Sequence, residues 1–286
     1  MAIFLGSTAF FFLYRQSLDT MTFLGSLSRL VFSYLLTWAI STANYIINEI
    51  ADVPYDIHHP TKRFRPLVKG EIRKIPFSLL GLTLIISSLV ISYLFFSRPF
   101  FFSLLALLAA GFIYNIRPIR TKDIPFLDSI SESANNPIRF LIGWYAFSPP
   151  QIFPPPSLLV CWWSFGNFLM VAKRLSEFRL LKEKAGDYRA SHKKYSKKFL
   201  LLGMAVSALI FFMAYFYFAF AFKLQYFIAF SPFLLFYFFL ISRKTLKEKE
   251  VMEEPEKLLS YPSFALYTFL LVLIFILSFF LDKIGE

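Results

Sequence analysis

Apolar residues dominate the chain in long runs separated by short polar segments. Runs cover roughly 2–14, 24–50, 77–97, 99–116, 126–147, 156–172, 199–222, 225–242 and 262–281. Most approach the ~20 residues an α-helix needs to cross a bilayer. Only helices and closed barrels satisfy their backbone in lipid, and runs of this length point to helices. The pattern predicts an all-α, polytopic membrane bundle of nine transmembrane helices, treated as a single domain over residues 1–286. The first run is short for a span.

Composition agrees. The 286 residues are 57% hydrophobic and 20% aromatic with only 17% charged, and the mean hydropathy is +0.58. An average soluble domain is ~25% charged, so a disordered or fibrous protein is excluded and the composition argues against a water-soluble globule. No removable signal peptide is expected, because Met1 lacks a basic flank. Cys161 is single, which leaves no intrachain disulfide and no cysteine-based metal cluster.

The net charge of +12 acquires meaning from its placement. Of the 30 Lys and Arg, 24 fall in the loops after the second, fourth, sixth and eighth spans, which an alternating topology puts on one side. The positive-inside rule makes that side cytoplasmic and the location a cell membrane, so the basic charge gives no reason to invoke nucleic acid. The loop after the fifth span, Ser148 to Pro156, is proline-rich and carries no ionisable group.

Ionisable residues at the ends of apolar helices are the natural candidates for chemistry. Asn44, Asn48, Asp52 and Asp56 are spaced by four, and Asn48, Asp52 and Asp56 share a stripe about 80° wide. Two carboxylates and an amide oxygen on one face suit a hard cation such as Mg²⁺, whose remaining ligands commonly include phosphate oxygens. Glu49 is expected to point away from Asn48, and Pro54 to distort the last turn. Lys62, Arg63 and Arg65 follow at once and could neutralise an anionic ligand bridging to the metal. A zinc site at His58 and His59 is disfavoured, since His192 is the sole further histidine.

The fifth run opens with a second polar stripe, Asp128, Glu132, Asn135 and Arg139, within about 60° on an ideal helix. Pro137 should kink it. Tyr114 and Lys122, with Asn115, Arg117 and Arg120, supply donors just before it. After the sixth run come Lys173, Arg174 and Glu177, then Arg189 and Tyr195. Lys173 and Glu177 are spaced to pair along a helix. The loop's surplus of cations suits either a phosphate ligand or anionic headgroups. Neither a G-x-S-x-G nor a P-loop signature is present.

Asn48-x-x-x-Asp52-x-x-x-Asp56, placed at the end of the second of nine spans, resembles the first aspartate motif of the UbiA-type intramembrane prenyltransferase superfamily. Members that prenylate acceptors usually carry a second Asp-x-x-x-Asp after the sixth span; this chain has Lys173-Arg174-x-x-Glu177 there. That substitution, His59-Pro60-Thr61-Lys62-Arg63-Phe64-Arg65-Pro66, and Arg189-x-x-x-x-x-Tyr195 resemble the decaprenyl-phosphate phosphoribosyltransferase branch. Two departures are Glu49, where the family usually has Asp, and the lack of its Arg-Pro-x-x-Trp-x-Lys-Asn stretch before the first span.

The resemblance implies Mg²⁺-dependent transfer of a 5-phosphoribosyl group from phosphoribosyl pyrophosphate to a polyprenyl phosphate, in a central cavity open to the cytoplasm. Asn48, Asp52 and Asp56 would hold the metal, with Lys62 and Arg63 acting on the departing pyrophosphate. Arg65, Tyr114, Lys122, Asp128, Glu132, Asn135, Arg139, Lys173, Arg174, Glu177, Arg189 and Tyr195 would bind substrate or order the cavity. The alternatives are a prenyltransferase that ionises an allylic diphosphate at the same metal, and a non-catalytic lipid-binding protein or transporter. No oligomeric state is implied.

Overall fold

The computed structural model describes residues 2–14, 23–57, 62–181, 190–247 and 255–284. Every regular element among them is helical. Tertiary contacts divide the chain into two units, Met1–Pro154 with Asp187–Ser191, and Pro155–Gly186 with His192–Glu286.

The first unit holds α1 (Ala2–Leu13), α2 (Phe23–Asp56), α3 (Lys74–Phe95), α4 (Arg98–Asn115), α5 (Leu127–Ser133) and α6 (Asn135–Tyr145). Helix α2 packs against α3 and α4, and α6 against α1 and α4. Ile40, Ala43 and Ile46 on α2, Leu104 and Leu107 on α4, and Ile142 and Trp144 on α6 are buried at helical spacing. The outward residues are equally apolar: Ile86 and Leu94 of α3 are 55% and 65% exposed. A helix apolar on both faces needs a nonaqueous neighbour on its outer side.

The short α1 is secured by close backbone approach to α6. A Cβ added at Gly6 would collide with the Phe140 carbonyl oxygen, and one at Gly143 with that of Ile3. Ser7 Oγ donates to the Gly143 carbonyl (2.8 Å). Small residues at such a crossing let two membrane helices touch. Gly143→Ala should therefore prise α1 off α6, lowering stability by about 1–3 kcal/mol; a detergent-solubilised melt compared with wild type measures it.

The second unit holds α7 (Pro156–Leu181), α8 (Lys197–Ala221), α9 (Gln225–Ala229), α10 (Ser231–Lys247) and α11 (Pro262–Ile284). Helix α7 packs on α8 and α10, and α9 on α11. Phe168, Leu175, Leu200 and Phe238 form its buried centre, and the Phe165, Phe211 and Phe238 rings meet in one cluster.

The nine predicted runs correspond to the helices described, with α5–α6 and α9–α10 each being one run interrupted by a break. Among the described residues, six helical stretches are long and apolar enough to cross a membrane; the others are the short α1, the divided α5–α6 and the more polar α7. The molecule is a multi-pass membrane protein of all-helical architecture.

Three local expectations need correction. Helix α2 continues through Pro54 to Asp56, so the whole Asn48–Asp56 stripe is helical. Arg120 donates to the Ala51 carbonyl (3.4 Å), next to the Ile50 carbonyl that Pro54 deprives of its helical donor. The fifth run is two helices and not one, divided at Ala134 three residues before Pro137, which has no N–H for the Ser133 carbonyl, as the expected proline kink implies; Ala134 itself keeps right-handed helical torsions. Helix α7 continues to Leu181, placing Lys173, Arg174 and Glu177 on a helix instead of in a loop. The buried Val171, Ala172 and Leu175 carry its packed face past the expected end.

Candidate active site

In the first unit the last two turns of α2 meet the segment between α4 and α5. Lys122 Nζ lies at the centre. It donates to Asp52 Oδ1, to Asn48 Oδ1 (3.1 Å) and to Asn115 Oδ1 (2.9 Å). Arg120 Nη2 donates to the same Asp52 oxygen at 3.0 Å. Arg120 is itself fixed by Asp123 (2.9 Å) and by the Asn115 carbonyl (3.2 Å), and its guanidinium lies 4.5 Å from the centre of the Tyr55 ring. Arg117 donates to the Tyr55 hydroxyl at 2.9 Å.

The segment that presents these cations is bent sharply. Arg120 and Phe126 have φ of 29° and 62°, conformations that side-chain-bearing residues rarely adopt. Such strain persists only where the surroundings over-determine it, and here they do so through the Arg120 contacts.

One helical turn further on, Asp56 accepts from Arg65 Nη1 at 2.8 Å. Glu49 Oε1 lies 3.9 Å from Arg65 Nε. The expectation that Glu49 points elsewhere is corrected: at 100° per residue it is only about 20° from Asp56, so one arginine reaches both. Lys62 and Arg63 sit in a 3-10 turn, Lys62–Phe64. Arg63 is exposed and lies over the Phe64 ring (4.7 Å), so it is not brought to the carboxylates.

The residues of the expected second stripe are spread over about three helical turns and meet different partners. Glu132 accepts from the Tyr114 hydroxyl (2.8 Å), and Lys122 Nζ is 5.8 Å from the Tyr114 ring centre, which ties this pair to the Asp52 cluster. Asp128 instead caps Ser129 N (2.8 Å) and accepts from Ser191 Oγ (3.1 Å). Asn135 donates to the Glu132 carbonyl (3.0 Å). Arg139 lies deeper and donates to Ser41 Oγ at 3.3 Å.

In the second unit Arg174 is completely buried and donates to Glu177 Oε2 at 2.9 Å; His192 Nε2 lies 3.1 Å from the same oxygen. The expected Lys173–Glu177 pairing is replaced by this i, i+3 pair, because Arg174 and not Lys173 faces inward with Glu177. Arg174, expected to bind substrate, here donates to Glu177 from a fully buried position. Lys173 is half-buried, and the Tyr195 ring stands 5.7 Å from that of His192. Arg189 lies outside the described residues, as do His58 to Thr61.

The donor chemistry fits a hard divalent cation. Asn48, Asp52 and Asn115 already direct three side-chain oxygens at one positive charge, the Lys122 ammonium. No group of three His, Cys, Asp or Glu that could hold a metal occurs among the described residues. Arg120 and Asn115 were expected only as donors in the segment before the second stripe, with no role in the site. Arg120 carried a signal, being one of three cations in a short loop opposite the acidic helix end.

Comparison with known proteins follows the same lines. The chain matches the UbiA prenyltransferase family over residues 3–269, across both units. It is 29% identical over 167 residues to a decaprenyl-phosphate phosphoribosyltransferase of Mycolicibacterium smegmatis, covering 57% of this chain and 49% of that one. Similarity to the Mycobacterium tuberculosis protein of the same name is 23% over 184 residues, covering 64% and 58%. The chain thus spans about half the length of the curated relatives it matches. Among solved structures, a UbiA homolog from Archaeoglobus fulgidus bound to DMAPP and Mg²⁺ superposes with a TM-score of 0.70 at 18% identity, covering 97% of this chain and 95% of that one. The same homolog bound to GPP and Mg²⁺ gives 0.69. These matches, the helical architecture and the Asn48-x-x-x-Asp52-x-x-x-Asp56 helix end agree: the chain belongs to the UbiA prenyltransferase family.

Proposed function

We propose that the protein transfers a 5-phosphoribosyl group from phosphoribosyl pyrophosphate to a polyprenyl phosphate, releasing pyrophosphate. The observation that carries this reading is the Lys173-Arg174-x-x-Glu177 helix segment. Acceptor-prenylating members of the family usually have a second carboxylate pair there, whereas here Arg174 is closed onto Glu177. One carboxylate pair framed by Lys122, Arg120 and Arg65 suits one metal-bound pyrophosphate. The names of the mycobacterial relatives point the same way.

In this proposal Asn48, Asp52 and Asp56 hold Mg²⁺. The metal supplies Lewis-acid stabilisation of the pyrophosphate as its bond to C1 breaks. Lys122, Arg120 and Arg65 meet the negative charge that grows on the leaving oxygen, with Lys62 beside them. Tyr114 and Glu132 keep the Lys122 stem in position. The lipid phosphate oxygen attacks C1 of the ribose while the C1–O electron pair leaves with pyrophosphate. An acceptor already ionised needs no strong general base. Lys173, Arg189 and Tyr195 are assigned to the second phosphate, and Arg174 positions its helix. The basic loops face the cytoplasm of a cell membrane, and residues 1–286 are read as a single domain.

A second reading, prenyl transfer from an allylic diphosphate, uses the same metal and cations. The Archaeoglobus homolog of the same fold was solved with DMAPP or GPP and Mg²⁺. The two are separated by offering purified protein either phosphoribosyl pyrophosphate with polyprenyl phosphate, or a prenyl diphosphate with aromatic acceptors. Ribosylated lipid in the first mixture, lost on EDTA and restored by Mg²⁺, is expected. Product in the second mixture alone overturns the proposal.

A further inference from the structure

We propose that Lys122 occupies the Asp52 end of the metal site as a built-in counter-ion, so that a divalent cation enters only together with a diphosphate. The inference rests on the metal reading of Asn48 and Asp52. It adds an order of events that the motif alone does not contain.

The Lys122 ammonium takes three oxygens, from Asn48 (3.1 Å), Asn115 (2.9 Å) and Asp52. Two of these belong to the expected metal ligands. The Lys122 side chain is 5% exposed and that of Arg120 8%, so neither charge is dispersed by water. Asp52 therefore faces two buried cations, one shared with Asp123. A bare divalent ion approaching Asp52 must either displace the ammonium, leaving it without its carboxylate, or sit beside two positive charges where screening is weak.

A diphosphate removes both penalties. Its negative charge compensates the added metal, its oxygens complete the metal's coordination, and it offers Lys122 a new acceptor within reach of a flexible four-carbon stem. Arg120 cannot follow. Asp123, the Asn115 carbonyl and the Tyr55 ring hold it. Lys122 is the movable charge and Arg120 the fixed one.

The test uses protein in nanodiscs dialysed to equilibrium against Mn²⁺ as the metal probe, with and without inorganic pyrophosphate. Wild type should retain Mn²⁺ at least about tenfold more weakly without pyrophosphate than with it, and by linkage Mn²⁺ should tighten pyrophosphate retention by the same factor. This reciprocity needs no variant. In Lys122→Met, Mn²⁺ should bind without pyrophosphate, with the difference shrinking to about threefold or less. Asp52→Asn should lose the Mn²⁺ retained with pyrophosphate. If wild type takes up one Mn²⁺ equally well with or without pyrophosphate, the counter-ion role is overturned while the metal site stands. If neither wild type nor Lys122→Met retains Mn²⁺ under any condition, the metal reading itself fails, and this inference with it.

Discussion

Asp52→Asn should lower transfer by roughly 10²–10³-fold, the scale of losing a principal electrostatic contact to the leaving group. The amide keeps the shape of the carboxylate and still accepts a hydrogen bond from Lys122 or Arg120, so the bundle should remain folded. What it loses is the charge that binds metal. Single-turnover product formation at saturating Mg²⁺ measures the effect, with a melt as the control. Near-wild-type turnover would remove Asp52 from the metal site.

The second large effect is on stability. Arg174 is wholly buried, Glu177 nearly so, and their 2.9 Å contact has His192 on its other side. Arg174→Met leaves the Glu177 carboxylate buried beside His192 without its arginine. Breaking one partner of such a pair typically costs about 3–5 kcal/mol, whereas replacing both by apolar residues of similar volume can be nearly neutral. Arg174→Met should therefore melt far earlier than wild type, and Arg174→Met with Glu177→Leu should recover much of the loss. A double variant no better than the single one would show that the arginine acts elsewhere. The same variants separate a positioning role from a phosphate contact, because the double variant should regain substrate affinity along with stability.

The parts of this molecule that could be read in advance are those written in local periodicity. The apolar runs located the helices because membrane spans cannot hide their composition. The four-residue spacing of Asn48, Asp52 and Asp56 placed them on one face because α2 stays helical through Pro54. Sharing a stripe is not sharing a partner: Asp128 and Arg139 lie about three helical turns apart, and one meets Ser191 while the other meets Ser41.

Partner choice across the chain was not legible. Lys122 reaches Asp52 over a separation of 70 residues, and Arg120 over 68. No local spacing encodes such meetings. The pairing of Arg174 with Glu177 was closer to legible. Both i, i+3 and i, i+4 partners were available to Glu177, and burial of the α7 face decided between them. Glu49 shows the converse case, since helical geometry alone puts it about 20° from Asp56.

The central claim is that the bond broken lies between ribose C1 and the pyrophosphate, with the lipid phosphate taking its place. Phosphoribosyl pyrophosphate labelled in its 5-phosphate, and separately in its terminal phosphate, tests this with polyprenyl phosphate, Mg²⁺ and purified protein. The account predicts that the 5-phosphate label moves into the lipid phase and the terminal label is released to water as pyrophosphate. Both labels staying in water, while a prenyl diphosphate is consumed in a parallel reaction, would contradict it.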